Sequence, residues 1–241
     1  MVRVLTIIHQ DDAGPGVFAD VPGAELVPWK ADREPAPAVD GVDAALVLGA
    51  AANVEEPEAN PWMADDLRVV GELLERRVPT LGVCLGAQLL AKAAGGSVER
   101  APRPEIGWYE VALEPGATED PVIGALPERF ATFQWHSYVA APPDGAISLA
   151  RSEHCLQAFR LADAPAWGIQ FHAEVSAEGA ASWTRQYDHD EDAVAMDLDP
   201  VALQAENDRR MEGWNQLGRD LFARFLVVGA VPPGRPPRSP A

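Results

Sequence analysis

Lysine is nearly missing from this chain: Lys30 and Lys92 are the only two in 241 residues. Arginine carries almost all the positive charge, and the formal net charge is −18. A surface that tracks phosphates needs clustered Lys and Arg, so this balance argues against nucleic-acid binding. Cysteine is equally scarce, with Cys84 and Cys155 too few for a disulfide framework. No apolar run approaches the roughly 18–20 residues that a membrane helix requires. The opening Met1-Val2-Arg3-Val4-Leu5 passes straight into a strand pattern, without the charged-then-apolar run of a signal peptide. These absences together predict a cytoplasmic protein with reduced thiols and with no nucleic-acid or membrane partner. At 47% hydrophobic residues, the chain has enough apolar side chains to build a proper core.

The near-continuous apolar runs at Val2 to His9 and Ala44 to Leu48 have the look of strands buried on both faces of a parallel sheet. Ala24 to Trp29 reads as a further strand. From Trp62 to Arg77 the residues Met63, Leu67, Val70 and Leu74 recur at helical spacing. A strand at Thr80 to Val83 leads into a helix from Leu85 to Ala94, which stops at Gly95-Gly96. This order predicts an α/β fold, an open and mostly parallel sheet flanked by helices. Beyond Ser97 the pattern changes to short strands: Ser97 to Arg100, Trp108 to Leu113, Ala131 to Val139, Ile147 to Arg151 and Cys155 to Leu161. They suggest an additional small antiparallel sheet, inserted or at the edge. Ala166 to Phe171 is another buried strand, Ser176 N-caps a helix toward Tyr187, and Asp188 to Asp199 reads as an acidic loop. A long helix from Val201 to Val228 carries the stripe Leu217, Leu221, Phe222 and Phe225. Residues 1–230 form one expected domain, and residues 231–241 a Pro/Arg-rich disordered tail.

Chemistry concentrates where strand becomes helix, at Gly82-Val83-Cys84-Leu85-Gly86. A side chain on such an elbow projects above the end of the sheet and lies at the positive end of a helix, as a thiolate nucleophile requires. Core packing is the competing account of a free cysteine. The flanking glycines favour the elbow, because a side chain at either would crowd so sharp a turn. His172 and Glu174 follow the last buried strand on the same rim, where the carboxylate can fix the ring's tautomer. As a bare pattern, His-x-Glu is also compatible with two solvated loop residues. No second His or Cys stands at a ligand spacing nearby, so we expect no metal, zinc included, and no cofactor. Of the other histidines, His9 suggests a cap and His136 a structural strand residue, whereas His154 and His189 fall in polar loops. Cys155 reads as core, and Trp62, Trp108, Trp135 and Trp214 as packing or interface surface.

Three segments, Gly82-Val83-Cys84-Leu85-Gly86-Ala87-Gln88, Leu48-Gly49-Ala50-Ala51 and Gly168-Ile169-Gln170-Phe171-His172-Ala173-Glu174, resemble those of class I, triad-type glutamine amidotransferases. They stand in that family's order and at about its spacings, over roughly residues 40 to 176. Glu105-Ile106-Gly107-Trp108 and Phe133-Gln134-Trp135-His136-Ser137 resemble the stand-alone branch whose relatives are the amidotransferase domains of GMP synthetase. The resemblance implies a flavodoxin-like fold, with Cys84 as nucleophile, His172 as general base and acid, and Glu174 as the orienting carboxylate. It implies an oxyanion hole from the amides of Ala50 and Leu85, and substrate contacts from Gln88, Ser137 and Tyr138. Two departures stand out. The family usually has Gly-Gly-Pro where this chain has Gly49-Ala50-Ala51, which matters if Ala50 must take a positive φ. His136-Ser137-Tyr138 also replaces the His-Gly-Asp of many GMP synthetase relatives. The expected activity is glutamine hydrolysis through a γ-glutamyl thioester, with ammonia passed to an acceptor on a separate synthetase partner. The alternative is a γ-glutamyl hydrolase acting on a conjugate, and the third reading is a non-catalytic regulatory or binding subunit.

Overall fold

The structure, a computed structural model, describes residues 1–56 and 58–230. The tail expected at 231–241 lies outside them. Nine strands form one sheet: β1 (Val2–Ile8), β2 (Ala24–Lys30), β3 (Ala44–Val47), β4 (Thr80–Val83), β5 (Ser97–Leu113), β6 (Arg129–Ala141), β7 (Ile147–Arg151), β8 (Leu156–Arg160) and β9 (Ala166–Ile169), in the order β2-β1-β3-β4-β9-β8-β7-β5-β6. Among the described residues five α-helices accompany them: α1 (Met63–Glu75), α2 (Leu85–Ala93), α3 (Ala177–Arg185), α4 (Glu191–Ala195) and α5 (Pro200–Gly229). Strands β2, β1, β3, β4 and β9 pair in parallel, and β8, β7, β5 and β6 continue the sheet with antiparallel pairings. The antiparallel strands are therefore not a separate small sheet. They extend the parallel one through β8, which pairs with β9.

Alternation along the strands explains the apolar runs. On β1, Val4 and Ile8 join the core under α5, with Leu221, Phe222 and Phe225. Leu5 and Ile7 face the other way, into the core beneath α1 and α2 with Val69, Val70, Leu73, Leu89 and Leu90. A strand covered on both sides has no polar face to show. Pro28 is tolerated because β2 is the sheet's edge strand, where a missing N–H breaks no inner ladder. On α1, Val69 and Leu73 are fully buried while Leu67 and Leu74 pack less completely, so the helix is turned slightly from the stripe expected. Asp66 also faces inward on this helix.

The segments read as two strands, at Ser97 and at Trp108, are one strand, β5. Its pairing with β6 shifts register between Arg100 and Glu105, where Pro102 and Pro104 can donate no ladder hydrogen bonds. The acidic stretch after Tyr187 is likewise more ordered than a loop. Asp190 caps α4 by accepting from the amides of Asp192 and Ala193, and Asp199 caps α5 in the same way through Val201 and Ala202.

Candidate active site

Three neighbouring parallel strands, β3, β4 and β9, deliver the Gly49 loop, Cys84 and His172 to one edge of the sheet. Cys84 sits between β4 and α2 at φ 53° and ψ −108°, one of three non-glycine residues with positive φ among the described residues. Such a backbone costs roughly 1–3 kcal/mol and survives only where its surroundings impose it. The imposition is visible on both sides. The Cys84 amide donates to the carbonyl of Ile169 at 2.8 Å. A Cβ on Gly86 would collide with the backbone carbonyl of Val47, and one on Gly82 with the backbone of Gly86. The two glycines let α2 start hard against the sheet, which is what aims the thiol outward.

The other side chains close on the same point. A Cβ built on Gly49 would lie 3.2 Å from Cε1 of His172 and 3.3 Å from Cβ of Cys84. His172 Nδ1 is 2.8 Å from Oε1 of Glu174, and both residues are buried. Burial works against a charged imidazole here. The negative charge of Glu174 and the Cys84 sulfur outweigh it, and the His172 pKa is raised to about 10. The indole of Trp183, from α3, meets the imidazole edge-on at 4.9 Å.

The backbone that carries His172 and Glu174 is gripped from outside the sheet. Trp214 Nε1 on α5 donates to the His172 carbonyl at 2.9 Å, and Asn215 Nδ2 to the Val175 carbonyl at 2.7 Å. The Val17 amide donates to the Glu174 carbonyl at 2.8 Å. Gly218 packs so closely on the Ala173 carbonyl that a Cβ would overlap it. Four consecutive residues are thus held from the far side of the site.

Ala50 is not among the positive-φ residues, so alanine costs nothing where glycine is usual. The amides of Ala50 and Leu85 have no acceptor among the described residues. Gln88 is 3% exposed, lines the cavity, and donates through Nε2 to the Tyr138 carbonyl at 2.9 Å, so part of its capacity already ties α2 to β6. Ser137 Oγ donates to Asp192 Oδ2, and the Tyr138 ring lies 5.2 Å beneath the guanidinium of Arg100. All three line a cavity of about 690 Å³ that also contains Cys84, Ala50, Leu85 and His172.

Several of its walls carried no recognisable signal. Trp183, Gln10 and the α4 residues Glu191 and Asp192 line it, as do His189 and Asp190. Trp135, expected to be packing, also lines it and donates through Nε1 to Asp190 Oδ2 at 2.9 Å. A run of acidic residues gives no hint from sequence that it will fold back over a pocket. His9 is no cap: its Nε2 is 3.0 Å from Asp66 Oδ2, both side chains are fully buried, and its ring stacks on Trp62.

Glu105, His136 and Cys155 bring their ligand-type atoms within 4.8 Å of one another, a buried trio able in principle to hold a cation. Hydrogen bonds engage one oxygen of Glu105, while its Oε1 and both His136 ring nitrogens have no hydrogen-bond partner among the described residues. Glu105 Oε2 accepts from Gln157 and from the Cys155 thiol and lies 3.2 Å from His136 Nε2. Burial pushes Glu105 up, yet the partners led by His136 hold it below its ordinary value. Burial and the Glu105 charge push the Cys155 thiol up to about 12.

The family model of class-I glutamine amidotransferases matches residues 23–184. This chain belongs to that family. A GMP synthase [glutamine-hydrolyzing] of Thermosipho africanus is 35% identical over 156 residues, covering 64% of this chain and 28% of that protein. The chain thus spans little more than a quarter of that relative's length. One subunit of the GMP synthase [glutamine-hydrolyzing] of Methanococcus vannielii is 34% identical over 56% of this chain and 77% of its own. Among solved structures, a glutamine amidotransferase from Thermotoga maritima superposes with a TM-score of 0.83 at 28% identity, covering 93% of this chain and 98% of that one. A glutamine amidotransferase from Methylobacillus flagellatus gives 0.80 at 29% identity over 95% of each chain. No helix among the described residues is long and apolar enough to cross a membrane.

Proposed function

We propose that the chain hydrolyses the side-chain amide of glutamine through a γ-glutamyl thioester on Cys84 and hands the ammonia to a separate synthetase partner. The observation that carries this reading is the convergence of Cys84, His172 and the Gly49 loop on one point at the ends of adjoining strands. The Cys84 thiolate, beside the α2 N-terminus and the His172 imidazolium, attacks the carboxamide carbon. The amides of Leu85 and Ala50 take the oxyanion, and each such donor is typically worth about 3–4 kcal/mol. The imidazolium gives its proton to the departing nitrogen, which leaves as ammonia. Water then attacks the thioester, its proton passes to His172, and glutamate and the thiolate are released. Glu174, 2.8 Å from Nδ1, orients the ring and, once the ring is neutral, keeps its proton on Nδ1 so that Nε2 can accept from water. Relatives named as one subunit of a GMP synthase support a separate partner, and a cytoplasmic site of action belongs to the same reading.

A second reading has its own support. A cavity of about 690 Å³ is of a size that elsewhere holds drug-sized ligands, more than one amide side chain needs. A γ-glutamyl hydrolase would run the same chemistry with a larger amine in the leaving position. Glutamate release from glutamine and from a panel of γ-glutamyl amides, with Cys84→Ala as control, separates the two. Cys84→Ala should lower turnover by more than about a thousandfold. Turnover of bulky amides but not glutamine selects the hydrolase. No turnover of any amide, with no labelling of Cys84 by a glutamine-analogue electrophile, removes both.

A further inference from the structure

The Ala51 amide on the Gly49 loop has a side-chain partner from the loop that follows β1. A proline in the third position would carry no N–H and would have its φ fixed. Ala51 has an N–H to satisfy and a φ that no ring fixes. That N–H donates to Oε1 of Gln10 at 2.8 Å, and Gln10 follows β1, the strand beside β3. The orientation of the Gln10 amide is set by its other end, where Nε2 donates to Asp12 Oδ1 at 2.8 Å.

Every residue around Gln10 is also tied down. His9 meets Asp66 and Trp62 in the core. Asp11 pairs with Lys30 at 2.8 Å, and the Asp12 carbonyl accepts from Trp183 Nε1 at 3.3 Å. Trp183 is the ring that stands edge-on to His172. One short segment therefore reaches the oxyanion loop at one end and the imidazole's neighbour at the other.

We propose that Gln10 is a positioning residue: it holds the Ala51 amide, and so aims the adjacent Ala50 amide at the oxygen that becomes negative during attack. The proposal rests on the reading of Ala50 as an oxyanion donor. The Gln10 side chain bonds Ala51 and Asp12 rather than Cys84, His172 or Glu174. Its effect is on the accuracy of a donor that works only within tenths of an ångström of its place.

Gln10→Ala should lower kcat about tenfold for whichever γ-glutamyl amide the wild-type protein turns over, with KM within about twofold, since complete loss of such a donor costs roughly 10²–10³. Alkylation of Cys84 by iodoacetamide, a displacement that builds no oxyanion, should keep its wild-type rate. Ala51→Pro in the Gln10→Ala background should recover most of the lost kcat, because proline removes the unsatisfied N–H and fixes the loop. Unchanged kcat, an equal fall in alkylation, or no recovery by Ala51→Pro overturns the proposal. A further arm needs no turnover: the Ala51 amide proton should exchange about tenfold faster in Gln10→Ala, the effect of losing roughly one hydrogen bond. Unchanged exchange sinks the proposal even in a silent protein. Full activity of Cys84→Ala, with the Ala51 exchange as expected, strikes the proposed reaction and leaves the brace standing.

Discussion

At the residue scale, the most informative group is His172. Its proton is held in the fold up to about pH 10, whereas the unfolded chain releases it near the ordinary value of 6.5. The folded state therefore binds more protons across that window, and stability falls as pH rises through it. The contribution is complete below pH 6.5 and gone above 10. Thermal midpoints should decline over this range in the wild type, and His172→Asn should flatten the decline. An unaltered slope would put the proton on some other group. Gly86 makes a separate prediction. Alanine there would press on the Val47 carbonyl, so Gly86→Ala should cost about 1–3 kcal/mol in urea unfolding.

At the element scale, α5 does more than cover the sheet. It was legible as a helix from Leu221, Phe222 and Phe225, because a repeating apolar stripe survives in one dimension. Trp214 and Asn215 on the same helix carried no such mark, since each meets a single carbonyl far away in sequence. Cys84, His172 and Glu174 stood out for the opposite reason: each lies just past a short apolar strand run, a local pattern that survives in one dimension. Strands buried on both faces were clear for the same local reason, whereas β5 looked like two because its prolines and its register shift interrupt the alternation. The acidic stretch around α4 looked like solvated loop, and only tertiary contacts with Trp135, Ser137 and Arg100 draw it over the cavity. Trp214→Phe keeps one aromatic ring and loses the donor with the five-membered ring that carries it. It should lower stability by roughly 1–2 kcal/mol, about one buried hydrogen bond, and lower turnover as well. Equal loss of stability with unchanged kcat would assign Trp214 to packing alone.

At the scale of the whole molecule, charge is the dominant feature. A net charge of −18 repels itself in the compact state. Raising salt from about 10 mM to 500 mM shortens the screening length several-fold and should raise the thermal midpoint by a few degrees. A midpoint that falls with salt would mean that the ion pairs outweigh the repulsion. The same charge sets terms for any synthetase partner: association with a basic face should slow as salt increases, while an apolar interface would be indifferent.

The grip of α5 on residues 172–175 also has a consequence for the order in which the protein is made. The family match ends at residue 184, yet two of the hydrogen bonds that hold the His172 segment come from residues 214 and 215. During synthesis the sheet can collapse while those residues are still inside the ribosome. Cys84 would then be exposed before His172 has a fixed address. On the proposed roles of Cys84 and His172, a nascent chain that stops short of residue 214 carries the thiol without a fixed base.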